Sequence, residues 1–95
     1  MANRILLIED EEKLARMVEL ELTYEGYQVE KAFDGRTGLD RALAGAADLI
    51  LLDIMLPRLN GLEVLRRYQK EGGTAPVILL TARDTVVDKV SGLDS

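Results

Sequence analysis

Three short runs of consecutive aliphatic residues constrain the fold of this 95-residue chain more than any other feature. They read RILLI at residues 4–8, LILLD at 49–53 and PVILLT at 76–81. A strand with one solvated face alternates apolar and polar residues, so the continuous run RILLI predicts a strand that is covered on both faces, and the aliphatic residues at 49–52 predict a second buried strand. Strands of this kind are typical of a parallel sheet enclosed by helices. A fourth run, YQVEKA at 27–32, does alternate, which favours a position nearer the edge of the sheet.

Segments with helical spacing separate the strands. Their alternation with the strands predicts an α/β fold with a doubly wound parallel sheet, formed as one domain over residues 1–95. Four residues of the first helix are predicted to share a buried face: Leu14, Met17, Val18 and Leu22. The four predicted helices cover residues 11–26, 34–45, 61–72 and 84–92.

The chain also marks several helix ends. Gly26 and Gly45 follow the first two helices as stop signals. Asn60, with Glu63 three residues later, predicts a capping box at the start of the third helix.

Composition excludes several classes of protein. With 47% hydrophobic and 31% charged residues, the chain is of the globular rather than the disordered type. No apolar run approaches the roughly 20 residues of a membrane span. The net charge of −5 argues against direct contact with nucleic acid, because phosphate backbones require a basic surface. The absence of cysteine suits a reducing cytoplasm.

Acidic residues stand where two of the aliphatic strands end. Glu9 and Asp10 follow the first strand and Asp53 closes the third, while Thr81 closes the fourth. Ligands of open parallel sheets bind beyond the carboxyl ends of the strands, so these side chains are predicted to converge. Two carboxylates ~4 Å apart repel by roughly 4 kcal/mol at an effective dielectric of ~20, which calls for a counter-ion. Mg²⁺, which prefers oxygen ligands, is the expected one.

The same residues disfavour a flavin nucleotide site, and each of them has a structural alternative. The loop after the first strand reads EDEE, which repels phosphate, whereas an FMN site needs backbone N–H groups there. Asp10 could instead be the N-cap of the first helix, and Glu9, Glu11 and Glu12 could complement its dipole. Asp53 could cap the turn after its strand, and Thr81 could be an ordinary strand residue.

Four motifs together resemble the receiver domain of bacterial two-component response regulators. They are RILLIEDEE, LILLDIMLPRLNGLEVL, PVILLTAR and DKVSGLD, and the resemblance runs from residue 5 to residue 93. LTAR and DKVSGLD further resemble the subgroup whose output domain is a winged-helix DNA-binding domain. The resemblance implies a flavodoxin-like receiver fold with strand order 2-1-3-4-5.

The resemblance also implies a role for each residue at the strand tips. Asp53 would accept a phosphoryl group from a phosphohistidine of a partner histidine kinase, without acting as a turnover enzyme. Asp10, Asp53 and the main-chain carbonyl of Met55 would hold Mg²⁺, with Glu9 acting directly or through water. Thr81 would hydrogen-bond a phosphoryl oxygen. The location implied is the cytoplasm.

Receiver domains of this family continue beyond the fourth helix with a fifth strand and a fifth helix. By ordinary element lengths roughly 20 to 25 residues would be missing here, so a receiver fold lacking both elements is expected. Without a fifth strand, Val77 to Leu80 would form an exposed edge that favours self-association. An assembly module without productive phosphorylation is therefore the alternative function. A metal-dependent phosphatase with an aspartate nucleophile is disfavoured. Such enzymes commonly carry a second acid two residues after the nucleophile, and here that position is Met55.

Overall fold

The computed structural model describes residues 3–80, which form four strands and three helices. The predicted fourth helix, at 84–92, lies outside the described residues. Within residues 3–80 no helix is both long enough and apolar enough to cross a membrane. The elements in chain order are β1 (Arg4–Ile8), α1 (Glu12–Tyr24), β2 (Gln28–Ala32), α2 (Gly35–Leu43), β3 (Leu49–Asp53), α3 (Gly61–Lys70) and β4 (Val77–Leu80).

The four strands form one parallel sheet in the order β2-β1-β3-β4. This confirms the predicted α/β fold and the position of the alternating strand, β2, at the edge. Ile8 at the end of β1 lies opposite both Ala32 of β2 and Leu52 of β3. The carboxyl ends of the three strands therefore reach the same level of the sheet.

Both faces of the central strand β1 are covered, as its continuous aliphatic run predicted. Leu6 and Ile8 belong to the main core cluster, together with side chains of α2 and α3. Because successive strand residues point to opposite faces, Ile5 and Leu7 face the other layer, and both are buried. Helix α1 packs against β1 and β2. The sheet is thus covered by helices on its two sides.

One prediction of burial is wrong within the described residues. The side chain of Met17, predicted to face the core from α1, is 63% exposed, whereas Leu14, Val18 and Leu22 are half-buried. Strand β4, in contrast, was predicted to be an exposed edge, and its Ile78 is 50% exposed. Among residues 3–80, β4 pairs with β3 alone.

The start of α3 differs from the predicted capping box. The side chain of Asn60 does cap the helix, accepting a 2.7 Å hydrogen bond from the N–H of Leu62. Glu63 does not return to Asn60; its carboxylate accepts hydrogen bonds from Arg66 and Arg67. These two guanidinium groups lower the pKa of Glu63 to about 2. Pairing along the helix surface therefore replaces the predicted reciprocal cap.

Asp34 is the N-cap of α2, which leads to a prediction on stability. Its carboxylate accepts from both the N–H (2.8 Å) and the hydroxyl (3.1 Å) of Thr37, and mainly the N–H bond lowers the pKa of Asp34. Asp34→Ala is expected to lower the free energy of unfolding by about 1 kcal/mol at pH 7, the usual cost of losing a cap. Urea unfolding measures the difference.

The pH dependence of this loss follows from the direction of the pKa shift. A carboxylate whose pKa is lowered in the folded state stabilises above its unfolded value, 3.8, and the contribution is lost as the pH falls below it. The difference between wild type and Asp34→Ala should therefore shrink in acid. Asp34→Asn is the matched control, because asparagine caps equally well and does not titrate. An alanine variant as stable as wild type at pH 7 would contradict the role of the cap.

Candidate functional site

Three carboxylates meet at the carboxyl ends of the two central strands. Glu9 and Asp10 follow β1, Asp53 is the last residue of the adjacent β3, and one carboxylate oxygen of each lies within 4.8 Å of the others. The register of β1 and β3 brings them together, since Ile8 lies opposite Leu52. The predicted convergence of the acidic strand tips is present in the structure.

Asp53 is the most deeply buried member of this acidic cluster of Glu9, Asp10 and Asp53. Its side chain is 0% exposed, that of Glu9 is 2% exposed and that of Asp10 is half-buried. The Oδ1 atom of Asp53 accepts a 3.0 Å hydrogen bond from the N–H of Met55. Its Oδ2 atom is buried and has no hydrogen-bond partner among residues 3–80. Since a buried carboxylate oxygen is costly unless it is paired or bound to a metal, Oδ2 fits a cation ligand.

Glu9 organises the loop between β1 and α1. Its N–H donates to the carbonyl of Ala32 (2.9 Å), and its Oε2 accepts from the N–H of Glu11 (2.9 Å). This turn directs the chain past Asp10 before α1 begins at Glu12. Glu9 is therefore both a member of the acidic cluster and an anchor of the loop that carries Asp10.

The alternative role of Asp10 as a helix cap is wrong. The N-cap position of α1 is Glu11, which has an extended backbone and makes no capping hydrogen bond through its side chain. Asp10 precedes this position, and its carboxylate lies with those of Glu9 and Asp53. The backbone geometry excludes the N-cap position for Asp10, and its role as a metal ligand stays a prediction.

Gly61, the first residue of α3, allows this helix to start directly against the end of β3. A Cβ atom at position 61 would lie 2.2 Å from the carbonyl oxygen of Asp53 and 2.7 Å from the Cα of Ile54. The N–H of Gly61 also donates to the carbonyl of Ile54 (2.9 Å). Gly61 belongs to the motif LILLDIMLPRLNGLEVL, and a glycine that opens a helix beside a site is a signal for close backbone approach.

Of the other two predicted site residues, the structure describes Met55 but not Thr81. Met55 lies at the rim with an exposed side chain, and its N–H is the group that holds Asp53. Thr81 lies outside the described residues, so its predicted contact with a phosphoryl oxygen stays a prediction.

A family comparison decides what kind of domain carries this acidic cluster. The response regulator receiver domain family matches residues 5–95 of the chain. The chain belongs to this family. The membership agrees with the resemblance found in the four sequence motifs.

Curated relatives of this receiver domain include a transcriptional regulatory protein and a response regulator. It is 60% identical over 90 residues to the transcriptional regulatory protein YkoG of Bacillus subtilis, covering 95% of this chain and 40% of YkoG. It is 52% identical over 91 residues to the response regulator ArlR of Staphylococcus aureus, covering 96% of this chain and 41% of ArlR. The chain thus spans about two fifths of the length of these relatives.

Solved structures share the fold. The receiver domain of a Francisella response regulator superimposes with a TM-score of 0.81 at 30% identity, over 97% of this chain and 76% of that one. The response regulator TrrA of Thermotoga maritima, in a complex with Mg²⁺ and BeF, gives a TM-score of 0.79 at 35% identity, over 95% of this chain and 79% of that one. The four-stranded order β2-β1-β3-β4 matches these receiver folds.

Proposed function

We propose that this receiver domain accepts a phosphoryl group on Asp53 from a histidine kinase in a Mg²⁺-dependent reaction, and thereby switches an attached DNA-binding output domain. The observation that carries the proposal is the buried Oδ2 of Asp53, which lies beside the carboxylates of Glu9 and Asp10 and has no hydrogen-bond partner in the described part of the chain. The transcriptional regulatory protein YkoG among its relatives supports the output, and the TrrA complex supports the metal.

The residues present fit a magnesium ion. Asp10, Asp53 and the main-chain carbonyl of Met55 would hold it, with Glu9 acting directly or through water. All these ligands are oxygen atoms, as Mg²⁺ requires, and the uncompensated Oδ2 supplies the need for a cation. When bound, Mg²⁺ supplies neutralisation of the negative charge on the phosphoryl group that is being transferred.

The chemistry assigned to the protein is nucleophilic attack by a fixed carboxylate. An oxygen of Asp53 forms a bond to phosphorus as the phosphorus–nitrogen bond of the phosphohistidine breaks, and the electron pair of that bond returns to the imidazole nitrogen. The N–H of Met55 holds Oδ1, so that the carboxylate keeps one orientation at the strand tip. Thr81 would hydrogen-bond a phosphoryl oxygen. Because the group stays on Asp53, the domain is a phosphoacceptor and not a turnover enzyme.

Acetyl phosphate tests this proposal without knowledge of the kinase. In the presence of Mg²⁺, intact-protein mass spectrometry is expected to show a gain of one phosphoryl group. The gain should vanish with a chelator and in Asp53→Ala. Asp40→Asn is the matched control, because Asp40 is an exposed acid of α2 outside the acidic cluster. Phosphorylation that persists in Asp53→Ala would refute the assigned nucleophile.

A second candidate function is assembly through β4. The exposed Ile78 and Leu79 of this strand favour it, and the predicted self-association through Val77 to Leu80 would involve the same strand. Sedimentation and amide hydrogen exchange test it together: self-association should protect the amides of residues 77–80 as the protein concentration rises. A monomer whose β4 amides exchange freely at all concentrations would contradict it.

Location and the absence of nucleic-acid contact complete the proposal. We place the domain in the cytoplasm, which the cysteine-free sequence supports. The net charge of −5 supports a segment that does not itself bind DNA, so contact with DNA is assigned to the output domain.

A further inference from the structure

The loop between β3 and α3 contains a strained turn. Arg58 has a φ of 68°, in the left-handed region that residues other than glycine rarely adopt. The N–H of Leu59 donates to the carbonyl of Pro57 (2.7 Å), which closes a tight turn around Arg58. Strain of this kind persists only where the surrounding structure leaves the chain no alternative.

Gly35 lies against the backbone of Leu59, the residue that follows the turn, and restricts its position. It is the first residue of α2, and a Cβ atom there would lie 2.3 Å from the carbonyl oxygen of Leu59 and 2.9 Å from its Cβ. Leu59 also packs against the main core cluster. The backbone of residue 59 is therefore fixed between the start of α2 and the core, and the turn at Arg58 has to accommodate that position.

Hydrogen bonds connect this turn to the acidic cluster. The carbonyl of Ile54 accepts from the N–H of Leu56 (3.0 Å) and from that of Gly61 (2.9 Å), so the two ends of the loop share one acceptor. The N–H of Met55 holds Asp53 within the same arrangement. A displacement of Leu59 would therefore reach Met55 and Asp53 through only a few backbone units.

We propose that Gly35 is a positioning residue for the phosphoacceptor site: its contact with Leu59 maintains the Arg58 turn and so holds the backbone of Met55 in place beside Asp53. The inference rests on the proposed function for its use, but its structural part concerns this loop alone. Charge adds to the link, because the pKa of Asp34, lowered mainly by its bond from Thr37, is lowered further by the charge of Arg58. The start of α2 therefore interacts with the β3–α3 loop through the charge of Arg58 as well as through the packing of Leu59.

The test measures loop protection and metal affinity in Gly35→Ala. Without metal, the amides of Met55 and Gly61 are expected to exchange faster than in wild type. In an NMR titration with Mg²⁺, the dissociation constant should rise about 10-fold, as for other losses of support around a metal site. Leu59→Ala keeps the backbone of residue 59 but removes the side chain that holds it against the main core cluster, so it loosens the same segment without a clash and should change both measurements in the same direction.

Gly73→Ala is the matched control for lost stability. A Cβ atom at position 73 would lie 2.3 Å from the ring of Tyr68, after the carboxyl end of α3 and away from the loop. At equal global stability this control should keep wild-type exchange at Met55 and Gly61 and wild-type Mg²⁺ affinity. Equal exchange in Gly35→Ala and Gly73→Ala would overturn the inference. If wild type binds no Mg²⁺, the proposed function fails, while the exchange comparison still decides whether Gly35 positions the loop.

Discussion

Replacing Asp53 with asparagine is expected to raise the free energy of unfolding of the metal-free domain by about 2 kcal/mol. The carboxylate is fully buried, its Oδ2 has no hydrogen-bond partner among the residues that the structure describes, and oxygens of Glu9 and Asp10 lie within 4.8 Å. Each such pair repels by about 3.5 kcal/mol at an effective dielectric of ~20, and part of this gain is offset by a weaker bond from the N–H of Met55. The residue that is proposed to carry the chemistry is thus predicted to destabilise the fold.

Magnesium should change the comparison. Wild type is expected to gain about 2.7 kcal/mol when Mg²⁺ is present at 100 times its dissociation constant, because the ion binds only the folded state. The free energy of unfolding of Asp53→Asn should rise much less on addition of Mg²⁺. Asp10→Asn should also stabilise the metal-free domain and weaken its response to Mg²⁺, but both changes should be smaller, since Asp10 is half-buried. Urea and thermal unfolding with and without Mg²⁺ measure these differences.

Asp40→Asn again provides the control for this experiment. Asp40 is exposed on α2, so its replacement should change stability by no more than about 0.5 kcal/mol and leave the response to Mg²⁺ unchanged. An Asp53→Asn variant that is less stable than wild type without metal, or a wild type whose stability is insensitive to millimolar Mg²⁺, would contradict the account of the acidic cluster.

Gly61→Ala is expected to lower the free energy of unfolding by about 3 kcal/mol, through overpacking against backbone. Alanine in a helix ordinarily stabilises by about 1 kcal/mol relative to glycine, so helix propensity alone predicts the opposite sign. The steric clash is expected to outweigh the helix propensity, because the new Cβ atom would lie 2.2 Å from the carbonyl oxygen of Asp53. Backbone at a strand end cannot yield as a flexible side chain can, so either α3 or Asp53 has to move.

Gly45→Ala separates this clash from the general cost of replacing glycine. Gly45 has a φ of 83° and nothing within 4 Å of its Cβ position, so alanine there should cost only about 1 kcal/mol of backbone strain. Urea unfolding ranks the two variants, and the acetyl phosphate assay should show slower phosphorylation for Gly61→Ala alone. Equal stabilities would show that the start of α3 can shift without cost.

Patterns with a short period were readable from the sequence. The aliphatic runs predicted β1 and β3, and the alternating run predicted β2 at the sheet edge, because side chains in a strand repeat every two residues. The predicted burial of Met17 was wrong because helical spacing defines a face without showing whether other atoms cover it. The capping box failed because Glu63 has two guanidinium groups within reach along its own helix.

The acidic cluster was likewise predictable from the sequence only in part. The presence of Glu9, Asp10 and Asp53 at strand ends is a property of the sequence, since the strands stop where the acids begin. Their meeting within 4.8 Å is a property of the parallel β1–β3 pairing, which joins segments about forty residues apart. The close backbone contacts of Gly35 and Gly61 could not be predicted either, because the need for a glycine depends on which distant segment of backbone lies against it. Local order is encoded in neighbouring residues, whereas contacts between distant segments exist only after the chain has folded.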